Sequence, residues 1–322
     1  MLTRRNALLL TAATLASAAG MAQAASKLRI SIATGGTGGV FYPYGGGLAR
    51  VLSKHVPDLQ ATAEVTGGSV DNVKLITAGD ADLGFSTIDS AIDALQGVGP
   101  YADTGPQKIS ALAVLYDSFV HIVASASSKI NKVADMKGKR VSVGSAGSST
   151  ETMADRLLEA AGLDPMKDVT RDNLSVAESV AALKDGKVDA MFWAGGLPTS
   201  AITDLVTTSN VKVVFVPAGD IVAKLNAKHP GIYRAYAMPK TVYTGTPADV
   251  PGIGVANILF VGANAPAANV TKILTGIFDN LAEVHKIHPE AAKLTLAGAV
   301  AKTPLAFHPA ALAFYKARGA IK

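Results

Sequence analysis

Short apolar runs in this chain repeatedly end in clusters of Gly, Ser and Thr. Leu28–Ala33 runs into Thr34-Gly35-Gly36-Thr37-Gly38-Gly39, and Ala61–Val65 into Thr66-Gly67-Gly68-Ser69. Leu83–Phe85 meets Ser86-Thr87, Arg140–Val143 meets Gly144-Ser145-Ala146-Gly147-Ser148-Ser149-Thr150, and Ala190–Trp193 meets Ala194-Gly195-Gly196. A strand that stops at small hydroxyl residues and hands over to a helix leaves free backbone N–H groups at a positive helix end. That is an anion site needing neither metal nor cofactor. Several such ends can converge on one crevice of an α/β sheet. None of the nine arginines lies inside these loops. The anion, a small carboxylate, would therefore be held by N–H groups, hydroxyls and helix dipoles.

The candidate ligand contacts follow from this pattern. Thr37, Gly38 and Gly39 carry more glycine than a turn needs, as if a ligand must approach the backbone closely. Tyr42 offers a hydroxyl and an apolar wall. Ser69 is either a contact or the N-cap of the next helix, and Thr87 shares that ambiguity. Ser145, Ser148, Ser149 and Thr150 are too many hydroxyls for one cap, although Ser148 with Glu151 fits a capping box. Trp193, the only tryptophan, ends a strand beside Gly195-Gly196 and suits a cleft wall.

Other chemistry finds no pattern to support it. The nearest dinucleotide fingerprint has Phe41 where its third glycine belongs, and Gly144–Thr150 lacks the lysine of a phosphate-binding loop. Neither G-x-S-x-G nor H-E-x-x-H occurs. His285 and His288 read as solvated helix-end residues rather than metal ligands, and Asp80 and Asp82 as solvated turn residues. No metal, no cofactor and no enzymatic activity are expected.

The N-terminus has the anatomy of a secretory signal over residues 1–24. Arg4-Arg5 precedes the apolar stretch Ala7–Ala19 and then Ala22-Gln23-Ala24. The expected location is periplasmic, by the general secretory route or, given Thr3-Arg4-Arg5-Asn6, the twin-arginine route. About 298 residues would remain, more than one hydrophobic core usually holds, so two lobes are expected. Losing Arg4 and Arg5 lowers the formal charge from +5 to +3. With no basic run, nucleic acid is not an expected partner. The absence of cysteine means no disulfides, so the core must supply the stability.

Strand and helix patterns alternate, which predicts an α/β fold with largely parallel sheets. Strands are expected at Leu28–Ala33, Ala61–Val65, Ala81–Phe85, Ile109–Leu115, Val120–Ala124, Arg140–Val143, Val188–Trp193, Val211–Val216 and Ile253–Val261. Helices are expected at Tyr44–His55, Ser69–Ala78, Asp89–Leu95, Thr150–Ala161, Ala177–Leu183, Ser200–Thr207 and Val270–His285, with more helix after Pro289. Tyr233–Tyr243, interrupted by Pro239, reads as a connector.

The loops also carry a family resemblance. Gly35-Gly36-Thr37-Gly38-Gly39-Val40-Phe41-Tyr42-Pro43 resembles the opening motif of the TAXI family, the extracytoplasmic solute receptors of one branch of the TRAP transporters. Val65-Thr66-Gly67-Gly68-Ser69-Val70-Asp71-Asn72, Asp82-Leu83-Gly84-Phe85, Met136–Val143, Gly144–Glu151 and Val188-Asp189-Ala190-Met191-Phe192 continue it over essentially all of the mature chain. The resemblance implies a two-lobed clamshell, a periplasmic binding protein of the second type, with a ligand cleft between lobes. By analogy with that fold, lobe one is 27–118 plus 259–322 and lobe two is 119–258. It implies a monomeric receptor for a small organic acid or amino acid, typically glutamate, glutamine or a dicarboxylate like 2-oxoglutarate. The partners would be TRAP membrane permease subunits driven by an ion gradient. The alternatives are a periplasmic sensor presenting ligand to a membrane kinase, and an enzyme on the same architecture.

Overall fold

The computed structural model describes residues 27–322; the signal segment expected at 1–24 lies outside them. Ten strands form one sheet. They are β1 (Leu28–Ala33), β2 (Leu59–Glu64), β3 (Leu83–Thr87), β4 (Ile109–Ser125), β5 (Arg140–Ser142), β6 (Thr170–Asp172), β7 (Ala190–Gly195), β8 (Val213–Phe215), β9 (Tyr233–Met238) and β10 (Val250–Gly262). The helices are α1 (Phe41–His55), α2 (Ser69–Ala78), α3 (Ile88–Gln96), α4 (Ser149–Ala160), α5 (Val176–Lys184), α6 (Ser200–Thr208), α7 (Val222–Lys228), α8 (Ala267–Phe278), α9 (Leu281–Val284) and α10 (Pro309–Ala317).

The main path through the sheet is β2-β1-β3-β10-β4-β7-β5-β6, with β8 beside β4 and β9 beside β10. β1, β2 and β3 run parallel, as do β5, β6 and β7. The antiparallel pair β4 and β10 joins these two groups, antiparallel to β3 and β7 as well. The sheet is therefore mixed rather than largely parallel. Its pairing departs from expectation because the chain crosses between the groups on two long strands.

Several boundaries are corrected. The expected break at Tyr116-Asp117-Ser118 is absent, and β4 runs unbroken for 17 residues. Its polar stretch is paired rather than turned outward: Asn257 Nδ2 donates to the Tyr116 carbonyl at 3.1 Å and to Ser118 Oγ at 2.9 Å. The Tyr233–Tyr243 connector contains β9, antiparallel to β10. The helix expected over Val270–His285 divides at Asp279-Asn280 into α8 and α9. After Pro289 the regular helix is limited to short turns and α10.

The core explains why these elements stay together. α1 buries Tyr44, Leu48, Val51 and Leu52 at helical spacing against Ile30, Ile32 and Phe85. α2 and α3 each stop at a left-handed glycine, Gly79 and Gly97, where a side chain would be strained. One apolar cluster fills the first strand group and another the second; a third runs through both, from Val73 and Phe260 to Val141 and Leu157. Two parallel strand groups of one sheet thus share a continuous interior across β4 and β10.

A buried ionic network crosses the same boundary. Arg156 of α4 grips Asp93 of α3 through Nη2 at 2.7 and 2.6 Å, and donates through Nη1 to Tyr233 Oη at 2.8 Å. The Tyr233 hydroxyl donates to Asp89 Oδ2 at 3.0 Å. Burial pushes the Asp93 carboxyl above its usual range, and Arg156 opposes that shift. Removing the arginine would strand two buried carboxylates. Arg156→Met should cost about 3–5 kcal/mol in urea unfolding; a change below about 1 kcal/mol would show the network to be energetically idle.

Candidate functional site

Strand ends determine where the marked loops meet. β1, β2, β5 and β7 all run at their carboxyl ends into segments that line one crevice, the usual binding position in α/β sheets. Asn72 fixes part of this arrangement. Its Nδ2 donates to the carbonyls of Thr34 and Phe85, both at 2.7 Å, tying the ends of β1 and β3 to α2. Its Oδ1 accepts from the Thr66 hydroxyl at 2.7 Å, which shapes the loop leading into α2.

The two sides of the crevice touch. The N–H of Asp71, in the first turn of α2, donates to the Gly147 carbonyl at 3.1 Å, just before α4. The Ser69 hydroxyl donates to Ser149 Oγ at 3.2 Å. A cavity of about 40 Å³ remains, enough for a few waters or a small solute. Its lining contains Gly39, Ser69, Ser145, Ser148, Ser149, Thr150 and Trp193, together with Gly35, Gly36, Gly68, Phe41, Tyr116 and Ser175. No lining residue is Asp, Glu, Lys, Arg, His or Cys. A larger groove of about 750 Å³ lies between 206–217 and 244–251, away from all the marked loops.

Two helix starts, α2 and α4, face this cavity. Among the described residues, the N–H groups of Ser69, Val70, Ser149 and Thr150 have no acceptor. Ser69 is not an N-cap. Gly68 holds that position with φ +126, and the Ser69 hydroxyl instead accepts the Thr87 N–H at 3.1 Å. Ser148 does cap α4, accepting the Glu151 N–H at 3.2 Å. The expected capping box is only half made, because the Glu151 carboxylate turns to Arg171 at 3.1 Å and Asn173 at 2.8 Å. Thr150 Oγ1 accepts the Ala194 N–H at 3.2 Å, locking α4 to the end of β7.

Four marked residues fall outside the lining. Gly39 N–H bonds back to the Gly36 carbonyl at 3.1 Å, a tight turn that leaves Thr37 at its exposed apex. Gly38 packs against Val176, Ala177 and Ala201, where an added Cβ would lie 3.2–3.5 Å from their side chains. Tyr42 is half-buried on α1, and Thr87 is buried behind Ser69. Sequence reasoning missed Tyr116 because its neighbours looked like a break in the strand. It also missed Ser175, although Ser175 and Glu178 form a complete capping box legible as S-x-x-E.

Trp193 is positioned by a relay of hydrogen bonds. Its Nε1–H donates to Thr199 Oγ1 at 2.9 Å. Its carbonyl lies 3.2 Å from His121 Nδ1, and a carbonyl only accepts, so Nδ1 carries the proton. His121 Nε2 then accepts from the Tyr243 hydroxyl at 2.9 Å, and Tyr243 Oη accepts the Thr199 N–H at 2.8 Å. On the far side, a Cβ at Gly39 would come within 2.8 Å of the Trp193 ring. His285 and His288 are likewise engaged rather than solvated: His285 Nε2 meets the Leu294 carbonyl at 2.7 Å, and His288 Nδ1 accepts the Glu290 N–H at 3.0 Å. Among the described residues no group of three or more His, Cys, Asp or Glu is placed to hold a metal.

The sequence model of a family described as NMT1-like matches residues 32–319. Among solved structures, this chain is similar to a protein of Bordetella bronchiseptica RB50, with 18% identity over 92% of this chain and 90% of that one, at a TM-score of 0.54. It is similar to a structure described as a periplasmic transporter, with 14% identity over 84% and 88%, also at 0.54. The periplasmic aliphatic sulphonate binding protein SsuA of Escherichia coli matches at 16% identity over 91% and 84%, at 0.44. The first two likenesses show a shared α/β fold.

Burial lowers the His121 pKa from 6.5 to about 4. Between these values the unfolded chain binds the proton and the folded chain does not, so stability falls as pH drops from 6.5 towards 4. The loss amounts to about 3 kcal/mol. His121→Gln should flatten this part of the stability–pH curve relative to wild type, as read by urea denaturation at pH 7, 5.5 and 4.5. Parallel curves would show that His121 does not titrate as described.

Proposed function

This chain belongs to the NMT1-like family, and from that premise we propose that it is an exported solute-binding protein that captures a small carboxylate for uptake. One observation carries the reading. Two helix N-termini converge on a small cavity whose lining is rich in hydroxyls and unpaired N–H groups and has no charged side chain. Each helix end presents roughly half a positive charge, so the cavity favours an anion small enough to touch both. The lining offers no acid, base or thiolate, which suits holding a solute rather than transforming it.

The finer reading is a TAXI-type TRAP receptor, supported by the motifs from Gly35 to Pro43, Val65 to Asn72 and Gly144 to Glu151. In this reading the protein works outside the cytoplasm. It passes glutamate, glutamine or a 2-oxoglutarate-like acid to permease subunits powered by an ion gradient. The lobes would be 27–118 with 259–322 and 119–258, hinged where β4 and β10 cross. Ligand joins the lobes because α2 and α4 supply halves of one site, and it shifts the open–closed balance only by preferring the closed form.

Ser149 tests the site. Its N–H and hydroxyl both sit at the start of α4, and its hydroxyl touches Ser69 across the cleft. A lost hydrogen bond to a charged group is worth about 1.5–3 kcal/mol. Ser149→Ala should therefore weaken carboxylate binding about tenfold or more in calorimetry, with thermal stability little changed. Trp193 fluorescence should report closure with carboxylates and stay constant with the matching amides. Equal responses to both would overturn the anion reading.

A further inference from the structure

Three of the helices that start at the cavity carry an acid in their first turn: Asp71 in α2, Glu151 in α4 and Glu178 in α5. The start of α1, which lines the cavity at Val40 and Phe41, has none. A first-turn acid is a helix's own counter-charge for its positive end. Two of the three acids serve that way. Glu178 closes a complete capping box, its Oε2 accepting the Ser175 N–H at 2.9 Å. Asp71 Oδ2 accepts the Gly67 N–H at 3.1 Å, just before α2.

Glu151 does not. Ser148 and Glu151 repeat the Ser-x-x-Glu spacing of Ser175 and Glu178, yet the Glu151 carboxylate is claimed by β6 and the residue after it. Its Oε1 accepts from Arg171 Nη2 at 3.1 Å and from Asn173 Nδ2 at 2.8 Å. The Ser148 N–H, which a complete box would give to Glu151, bonds the Ser145 carbonyl at 3.2 Å. Pairing of β6 with β5, Arg171 opposite Val141, places the guanidinium, whose side chain is 17% exposed. Its Nη1 also meets Asp155, one turn further along α4, at 3.0 Å. Asn173 holds the Gly144 carbonyl as well, at 3.1 Å, so the same contact joins the two wall segments Ser145–Thr150 and Ser175–Val176 from behind. The Arg171 charge offsets that of Glu151. Of these three helix ends, α4 is the one that its own acid does not fill.

We propose that Arg171 is a positioning residue for solute capture: by holding and neutralising Glu151, it keeps the start of α4 open to the solute's carboxylate. This rests on the carboxylate-binding reading above and deepens it. Arg171 does not touch the solute. It acts through Glu151, which, left charged and unpaired beside Ser149 and Thr150, would compete with the solute for the same positive end and repel it.

Calorimetry on the mature protein with L-glutamate, 2-oxoglutarate and butyrate identifies the probe that binds most tightly. Arg171→Met should weaken that probe about fivefold, the effect of one uncompensated charge just outside the cavity wall. Glu151→Gln should bind it more tightly than wild type does, because the guanidinium then has one carboxylate fewer to balance. Combining the two changes should return the affinity to within about twofold of wild type, a rescue that a merely structural role for Arg171 would not give. Unchanged affinity in Arg171→Met, a deficit that persists in the double variant, or Glu151→Gln binding no more tightly than wild type would each overturn the proposal and leave the carboxylate site standing. Should Arg171→Met fail to fold, the direction of the Glu151→Gln effect decides the matter alone. Binding of none of the three probes would overturn the carboxylate reading and this proposal with it.

Discussion

Two positive helix ends meet here at hydrogen-bonding distance. The Asp71 N–H reaches the Gly147 carbonyl and the Ser69 hydroxyl reaches Ser149, so the starts of α2 and α4 are pressed together across the cleft. Like partial charges do not approach for nothing. Asp71 relieves part of the strain on one side, since its Oδ2 accepts the Gly67 N–H at 3.1 Å. The remaining N–H groups point into a space without a counter-charge. In the proposed carboxylate-binding role, closure and anion capture are the same electrostatic event seen from two sides, and the sheet, the glycine loops and the strand crossings bring those helix ends together.

The rest of the cleft holds the geometry against that repulsion. The Arg156, Asp89, Asp93 and Tyr233 network ties α3 to α4, and Glu290 ties the C-terminal segment to the loop after β7. The relay from Thr199 through Tyr243 and His121 to the Trp193 carbonyl fixes the wall opposite Gly39. Each is buried and directional. Sliding one strand group over the other would leave polar groups unpaired, so the proposed hinge would move by bending along β4 and β10. Register shifts along that pair, near Ala256–Ile258 and Leu259–Phe260, already interrupt its regular ladder.

The sequence revealed the strand ends and the helix starts well, because glycine and hydroxyl residues carry local backbone information. Ser148 is legible as a cap, and the loops at Gly35, Gly67 and Gly144 are legible as close approaches. It revealed less where the decisive partner is distant in the chain. Tyr116-Asp117-Ser118 looks like a break until Asn257 pairs with it and Asp117 meets Arg234. Ser69 looks like a cap until Thr87 and Ser149 claim its hydroxyl. Thr37 looks like a contact until a turn inside its own loop faces it outward. In each case local residue type was informative, but a long-range hydrogen bond or the direction of one turn decided the outcome.

A pocket made mostly of main chain has few adjustable parts. Gly67 and Gly147 crowd Asp71, and Gly39 and Gly195 crowd Trp193, so a side chain at any of them meets an occupied position. The helix-end N–H groups are the same whatever residues flank them. In the proposed role, such a pocket could be retuned through only a handful of side chains, chiefly the hydroxyls and the aromatic wall, while the helix-end grip on an anion stays fixed. Descendants of such a protein would be expected to diversify in what the far end of the solute looks like and to remain committed to its charged head.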